Sequence, residues 1–260
     1  MINHKTSPNP NVFEKKPVFN QISFLKNIIF WVDIVKKGEI YIHSIFARPF
    51  NQEESKIQKL TGDKFNIKSN FHGYGGKSYQ CLEVDEKLYL IWIDQFSQSL
   101  WMQIFKVNES PNINKNKSLL CENKPKQLVK SSKGNFDASF AISHENILFG
   151  LYELNNKDYL FSLDIRKSNQ EMTILREFDD FAGNLSSSKN GKNLSWIEWN
   201  TSCMPWERNE LFFARINKSG NLEKLEQFKN NIINLNKNVS FFQPYWISED
   251  IIVCSEDSSG

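Results

Sequence analysis

Residues that could carry out chemistry are few in this chain and widely spaced. A serine nucleophile on an α/β-hydrolase sheet needs a Gly-x-Ser-x-Gly pentapeptide between a strand and a helix, which lifts the serine oxygen above the sheet edge. No such pentapeptide occurs in the 260 residues. On that fold the acidic and histidine partners follow the serine in the sequence. The sequence therefore predicts that this chain contains no catalytic residue.

The segment of residues 73–78, Gly-Tyr-Gly-Gly-Lys-Ser, ends like a phosphate-binding loop. The first glycine of that motif would fall at Phe71, however, and the segment leads into a predicted strand instead of a helix. Without a helix N-terminus the loop lacks the dipole and the backbone N–H groups that bind phosphate. We therefore expect a tight turn, in which glycine permits positive φ angles.

Carboxylates and cysteines do not form a predicted site either. Asp179-Asp180 and Glu53-Glu54 are neighbours in the sequence, and neighbours on a strand point to opposite faces of the sheet. The four cysteines lie far apart without a Cys-x-x-Cys pair, and no His/Cys cluster has zinc-ligand spacing. We predict free thiols, solvated acidic turns, no metal and no cofactor.

Composition and charge restrict the class of protein. The chain is 40% hydrophobic and 13% aromatic, which excludes a disordered protein, and 32 Lys+Arg against 30 Asp+Glu give a net charge of +2. The chain therefore lacks the excess positive charge that proteins use to bind nucleic acid or anionic lipid. Residues 1–16 are polar, and the apolar stretch of residues 22–35 is interrupted by Lys26, Asn27 and Asp33. We predict neither a signal peptide nor a membrane span, and hence a cytoplasmic protein.

The elements that must position any site are strands. Apolar runs are short, rich in β-branched and aromatic residues, and separated by Asn, Gly and Asp, while helical periodicity is nearly absent. A helix at residues 51–59 is the one exception considered, and a loop fits there equally well. The predicted strands are residues 22–24, 28–35, 39–47, 78–84, 87–94, 99–107, 137–142, 146–153, 157–164, 172–178, 182–186, 193–200, 210–216, 243–247 and 251–255.

The strands recur in groups spaced by roughly 45–60 residues, the period range of β-propeller blades. We therefore predict an all-β fold, a partial β-propeller of four-stranded antiparallel blades. Residues 1–16 are expected to be a flexible tail, and residues 17–260 an incomplete propeller of about four blades plus part of a fifth. The last blade is predicted to be truncated, so that the sequence corresponds to the amino-terminal piece of a longer chain.

Four segments resemble the acylaminoacyl-peptidase-like branch of the prolyl oligopeptidase family of serine peptidases. Residues 72–79 are similar to its His-Glu-Tyr-Gly-Gly-Gly-x-Tyr segment, with departures at Gly73 and Lys77. Residues 190–211 contain Trp-x-x-Trp and Met-Pro-Trp-Glu, similar to its Asp-Gly-x-x-Leu-x-Trp-x-x-Trp and Met-Pro-Trp-Asp run. Residues 242–246 match Phe-Gln-Pro-x-Trp, and residues 255–260 resemble Ser-Asp-Arg-Thr-Gly with an altered charge order.

The resemblance covers residues 17–260 but less than half of a family member. It implies that an amino-terminal propeller covers a carboxy-terminal α/β-hydrolase domain, which holds the Ser-Asp-His triad and is absent from this chain. Propeller and hydrolase enclose a cavity that limits substrates to peptides or small acylated compounds. The implied function is a substrate-gating propeller of a serine peptidase, dipeptidyl- or acylaminoacyl-peptidase-like, whose partners are a peptide substrate and the hydrolase domain, with no nucleic acid and no membrane.

Five residues of the matched segments are predicted to face the substrate: His72, Tyr74, Trp199, Trp206 and Glu207. Trp199, Trp206 and Glu207 could instead have a structural role, because Pro205 and Trp206 could fix a connection between blades. An acidic side chain near a peptide amine would favour aminopeptidase-like action, although the sequence does not place Glu207 there. Trp196, by contrast, is predicted to be a core residue.

Two other functions are compatible with the pattern. A stand-alone propeller could bind a protein or a small ligand. A short five-bladed, glycosidase-like propeller would need inward-facing carboxylates on separate blades.

Overall fold

The computed structural model describes residues 20–50, 56–108, 118–130, 133–228 and 239–257. The predicted tail, residues 1–16, lies outside this part of the chain. The described residues form antiparallel strands, β1 to β19, and one 3-10 turn at Phe71–Gly73.

The strands form five sheets in chain order. The first contains β1 (Asn20–Leu25), β2 (Ile28–Lys37), β3 (Ile40–Pro49) and β4 (Gln58–Lys59). The second contains β5 (Tyr79–Val84), β6 (Lys87–Asp94), β7 (Ser99–Asn108), β8 (Ser118–Cys121) and β9 (Lys126–Val129). The third contains β10 (Asn135–Ile142), β11 (Ile147–Leu154), β12 (Lys157–Asp164) and β13 (Thr173–Glu177). The fourth contains β14 (Phe181–Ser187), β15 (Asn193–Trp199), β16 (Glu210–Ile216) and β17 (Leu222–Gln227), and the fifth contains β18 (Phe241–Trp246) and β19 (Ile252–Glu256).

Each sheet is a meander in which strands pair with their neighbours in sequence, except that β8 and β9 both pair with β7. The first strands of the sheets contact one another, β1 with β5, β5 with β10, β10 with β14 and β14 with β18. The sheets therefore stand side by side around a common inner edge, which is propeller architecture. The predicted fold class is confirmed, and the described part of the fifth sheet consists of two strands.

All of the predicted strands are present, and three have the predicted bounds: β6, β12 and β16. Four strands were missed, β4, β8, β9 and β17, and each lies at the outer edge of its sheet. The alternative of a helix at residues 51–59 is wrong for residues 56–59, the part of this range that the structure describes, because Gln58–Lys59 pairs with β3 as an edge strand.

The core lies between the sheets. Each buried cluster combines side chains of two adjacent sheets, as in the third and fourth, where Phe149 and Leu160 join Trp196. Alternate residues of a strand point to opposite faces, so every inner sheet packs on both sides. Trp196 is fully buried and stacks on Phe212, which confirms the prediction that it is a core residue.

A bulge with positive φ recurs at the inner edge. Strands β1, β14 and β18 each carry one extra residue relative to the strand they pair with. The residue concerned is Gln21, Asn184 or Gln243, with φ of 51°, 53° and 50°. A bulge bends its strand and increases its twist, so these residues curve the inner strands of three blades in the same way.

Within the described ranges, no helix has the length and apolar character needed to span a membrane.

Candidate functional site

The turn at residues 71–76 brings a histidine to the junction of three sheets. His72 has φ 53° and ψ 22°, and Gly73 and Gly75 have φ of 79° and 96°. A Cβ on Gly75 would lie 3.0 Å from the carbonyl oxygen of Ser69, a tight contact, and the φ of this residue favours glycine. The turn leads into strand β5, and the described structure thus has a tight turn where the sequence resembled a phosphate loop.

A buried carboxylate fixes the histidine ring. Nε2 of His72 lies 2.7 Å from Oδ2 of Asp158, and their side chains are only 7% and 1% exposed. The same Oδ2 accepts a hydrogen bond of 2.8 Å from the backbone N–H of Ala182. The backbone N–H of His72 donates to Oε2 of Glu153 at 2.8 Å. These contacts tie the turn to β11 and β12 of the third sheet and to β14 of the fourth.

Aromatic rings continue from the histidine onto the fourth sheet. Phe181 and Trp199 pair across β14 and β15 and stack with centroids 5.6 Å apart. The His72 ring meets both of them edge-on, at 5.0 Å from Phe181 and 5.7 Å from Trp199. A Cβ on Gly183 would lie 3.1 Å from the Trp199 ring, so this glycine leaves the space that the indole occupies. The three rings form a continuous wall.

The loop between β15 and β16 is closed by its own side chains. Oε2 of Glu207 accepts a hydrogen bond of 2.7 Å from the backbone N–H of Met204. The carbonyl of Pro205 accepts hydrogen bonds from Nδ2 of Asn209 and Oγ of Ser240, at 2.7 and 2.6 Å. These contacts hold the loop in place while the Trp206 side chain remains 60% exposed.

A cavity of about 790 Å³ lies between the wall and this loop. Four of the five predicted residues line it, His72, Tyr74, Trp199 and Trp206. Glu207 does not, because its carboxylate turns back to the Met204 amide. The structure thus brings four of the predicted residues together around one cavity, while Glu207 forms a hydrogen bond within its own loop. That they contact a substrate stays a prediction.

Other lining residues were not found in the sequence. They include Glu153, Asp158, Asp180, Phe181 and Met204. The sequence offered a signal for Asp158 as a buried carboxylate. It lies two residues before Leu160 and four before Ser162 on the same strand, so it shares their face, and both are buried. A carboxylate at a core-facing position is rare unless it is paired. The sequence predicts a solvated turn at Asp180; in the structure Asp180 is half-buried, and its Oδ2 accepts a hydrogen bond from the backbone N–H of Thr201 at 3.2 Å.

The cavity has an acidic character. Its lining contains three carboxylates, of Glu153, Asp158 and Asp180, and no lysine or arginine among the described residues. The pKa of Tyr74 lies above its usual range, first because of burial and then because the charges on Asp158 and Glu153 disfavour the phenolate.

A smaller cavity of about 270 Å³ adjoins the large one. It shares His72, Tyr74, Trp199 and Pro205 with the large cavity and extends to Asp137 on β10. Oδ1 of Asp137 accepts from the backbone N–H of Lys77 at 2.8 Å.

No group of three or more His, Cys, Asp or Glu side chains in the described ranges is placed to hold a metal ion. Oxygen and sulfur ligands would have to converge within a few ångströms for such a site.

Comparisons with known proteins identify the fold. No family model matches the chain, and no curated protein matches it. A solved puromycin-hydrolyzing peptidase from Mycobacterium tuberculosis superposes with a TM-score of 0.73 at 16% identity, over 94% of this chain and 35% of that protein. A puromycin hydrolase superposes with a TM-score of 0.68 at 14% identity, over 94% of this chain and 36% of that protein.

The chain thus spans about a third of the length of the peptidases that it matches. Identities this low establish the shared fold, and the resemblance to the propeller portion of these peptidases is confirmed at that level. The chain has the fold of the matching third of these peptidases.

Proposed function

We propose that residues 17–260 are the substrate-binding propeller of a cytoplasmic serine peptidase of the prolyl oligopeptidase type. The triad would belong to an α/β-hydrolase domain outside these residues. The parent reaction would be acyl-enzyme hydrolysis of a peptide bond, in which a histidine activates the serine. The propeller would gate access and hold the substrate, with no catalytic residue of its own.

One observation carries this proposal. His72 and Tyr74 come from one matched segment, Trp199 and Trp206 from another more than a hundred residues later, and all four line one cavity. Its volume of about 790 Å³ is within the range of small-molecule and peptide sites. A core role alone would not require Tyr74 and Trp206 to remain exposed.

The arrangement suggests how a peptide would be held. Aromatic side chains of a peptide can pack on Trp199 and Trp206, which supply large apolar area at little entropic cost. The His72–Asp158 pair fixes the His72 ring, which in turn contacts the Trp199 ring and so holds the aromatic wall against the turn at residues 71–76. Such fixed walls hold a substrate in one orientation, which lowers the entropic part of a reaction barrier.

Binding of a short aromatic peptide such as Phe-Gly-Gly to the 260-residue chain tests the proposal by calorimetry. Trp199→Ala and Trp206→Ala should each weaken binding by about tenfold, because each removes a ring that packs on the peptide. Phe96→Ala is the control, since Phe96 is as exposed as Trp206 but lies in the β6–β7 turn of the second sheet. Absence of peptide binding, or equal weakening in all three variants, would refute the proposal.

The catalytic part is tested separately. The 260-residue chain should show no peptide hydrolysis that a serine reagent inhibits, and robust activity of that kind would contradict the absence of a triad. The alternative, a stand-alone binding propeller, is distinguished by the coding frame beyond Gly260. A Gly-x-Ser-x-Gly sequence a few hundred residues further on supports the peptidase, whereas a stop codon after further blade-closing strands supports the binding module.

A further inference from the structure

The carbonyl group immediately before Trp206 lies in a buried hydrogen-bond network. The carbonyl oxygen of Pro205 accepts from Nδ2 of Asn209 at 2.7 Å and from Oγ of Ser240 at 2.6 Å. Nδ2 of Asn209 also donates to Oγ of Ser240 at 3.1 Å, so the three groups form a closed triangle. Asn209 is 4% exposed and Ser240 is fully buried. A satisfied polar network in a buried place holds its members rigidly.

This network joins the fourth sheet to the fifth. Asn209 immediately precedes β16, and Ser240 immediately precedes β18. The backbone N–H of Phe241 donates to Oδ1 of Asn209 at 2.8 Å, and the Phe241 carbonyl accepts from Nδ2 of Asn209 at 3.0 Å. The backbone N–H of Asn209 donates to the carbonyl of Val239 at 3.1 Å. The end of the β15–β16 loop is therefore held by residues 239–241.

Trp199 is supported from the same sheet. Its side chain packs against the cluster that Ile197, Leu211 and Phe241 form between the fourth and fifth sheets. Residues at the start of β18 therefore contact Trp199 directly, and they contact Trp206 through the carbonyl group that precedes it. No described residue of the fifth sheet lines the large cavity. The fifth sheet thus supports the wall of a cavity to which it contributes no lining.

The other hydrogen bonds near Trp206 stay within the loop. The backbone N–H groups of Glu207 and Arg208 donate to the Met204 carbonyl, at 2.9 and 3.2 Å. The carboxylate of Glu207 accepts from the Met204 amide. These bonds fix the internal shape of the loop, whereas the bonds to the Pro205 carbonyl fix where the loop lies relative to the fifth sheet.

We propose that Asn209 and Ser240 are positioning residues for Trp206, and that the fifth sheet acts through them on the shape of the large cavity. The effect on peptide binding rests on the proposed function, whereas the position of Trp206 is measurable without a peptide. Without the Ser240 hydroxyl, the Pro205 carbonyl loses one of its two donors and Trp206 samples further orientations. A ligand that packs on the indole then binds more weakly, in proportion to the fraction of chains that keep the binding orientation.

A second hydroxyl at the same interface provides a matched control. Oγ of Ser195 accepts from Nε1 of Trp246 at 3.0 Å, and Ser195 is fully buried, as Ser240 is. Ser195→Ala and Ser240→Ala each remove one buried hydroxyl that joins the fourth sheet to the fifth. Only Ser240→Ala removes a contact to the loop that carries Trp206. A difference between the two variants therefore reports on the loop and not on the docking of the sheets.

Fluorine NMR of the chain labelled with 5-fluorotryptophan reports on Trp206 directly. The chain has seven tryptophans, and the signal that is lost in Trp206→Phe belongs to Trp206. We expect Ser240→Ala to shift or broaden this signal and Ser195→Ala to leave it unchanged. Asn209→Asp keeps the acceptor for the Phe241 amide but loses the N–H donors, so it should have the larger effect.

Calorimetry with Phe-Gly-Gly measures the consequence for the cavity. Ser240→Ala should weaken binding by about threefold to tenfold, the range of one hydrogen bond, and Ser195→Ala should leave binding unchanged. In a chain that carries Trp206→Ala, adding Ser240→Ala should cause no further loss of affinity, because the ring that Ser240 positions is absent. Urea unfolding should show a similar loss of stability in the two serine variants.

The outcomes separate this inference from the proposed function. An unchanged Trp206 signal in Ser240→Ala would overturn the positioning role, as would an equal change in Ser195→Ala, even if Phe-Gly-Gly binds. Additive losses of affinity from Ser240→Ala and Trp206→Ala would also overturn it, because the hydroxyl would then act independently of the indole. A Trp206 signal that responds to Ser240→Ala in a chain that binds no Phe-Gly-Gly would support the positioning role and refute the proposed function.

Discussion

Asp137 lies at the contact between two neighbouring blades, and its ionisation is expected to make the stability of the fold depend on pH. Its side chain is buried between the second and third sheets, and Oδ1 accepts from the Lys77 amide. A Cβ on Gly76 would lie 2.5 Å from that oxygen, so this glycine is needed for the approach. Burial raises the pKa of Asp137, and hydrogen bonds from Ser139 and Lys77 oppose the rise only in part.

The raised pKa predicts a pH-dependent stability. The folded state holds the Asp137 proton more tightly than the unfolded state, so this residue stabilises the fold below its ordinary pKa of 3.8. The contribution is lost as pH rises through the folded pKa, at a slope of at most about 1.4 kcal/mol per pH unit. Urea unfolding at several pH values should show Asp137→Asn gaining stability relative to the unmodified chain over this window. A difference between the two that does not vary with pH would contradict the prediction.

At the scale of elements, the turns decide how closely blades approach. Gly191, in the turn between β14 and β15, has φ of 66°. A Cβ there would lie 2.4 Å from Cα of Ser143 and 2.6 Å from the carbonyl oxygen of Ile142, at the β10–β11 turn of the neighbouring blade. This contact involves backbone on both sides, so no side chain can move away to relieve a clash.

Gly191→Ala should therefore lower the free energy of unfolding by about 2–4 kcal/mol, through both a left-handed backbone and a clash. Gly38→Ala is the matched control, since Gly38 has φ of 61° but nothing within 4 Å of the added Cβ, and it should cost about 1 kcal/mol. Thermal or urea unfolding measures both. If both variants lost the same free energy of unfolding, the packing of the β14–β15 turn on the β10–β11 turn would contribute nothing to stability.

At the scale of the whole molecule, the fifth sheet presents apolar side chains to solvent. Tyr245, Ile247, Ile251 and Val253 are all exposed on or beside β18 and β19. The core cluster between the fourth and fifth sheets buries Phe241 of β18 but includes none of these four side chains. An exposed apolar surface next to a strand edge promotes association.

We therefore expect the 260-residue chain to self-associate in a concentration-dependent way. Tyr245 and Val253 face each other across β18 and β19, so Tyr245→Lys with Val253→Glu should place opposite charges side by side and reduce association. Leu120→Lys, at an exposed position of β8, should have little effect. Sedimentation velocity distinguishes these outcomes, and a compact monomer of the unmodified chain at high concentration would rule out the expectation.

The sequence predicted strands well where burial dictates residue type. β6, β12 and β16 lie inside their sheets, and most of their residues are buried or half-buried. β17 has the sequence Leu-Glu-Lys-Leu-Glu-Gln and is largely exposed, so its composition reflects solvent and not the sheet. An outer strand is held by backbone hydrogen bonds to one neighbour, and such bonds leave no pattern in the side chains.

By itself, the amino-acid sequence determined the period of the blades, the burial of Trp196 and the absence of a nucleophile elbow, because these depend on residues close together in the chain. Local resemblance also predicted His72, Tyr74, Trp199 and Trp206 as substrate-facing residues, which stays a prediction. Only the tertiary structure decided that these four share a cavity with Asp158 and Asp180, and that Glu207 closes its own loop instead. The reason is physical: a site between two sheets is created by packing, and the distances across it are independent of the spacing of its residues along the chain.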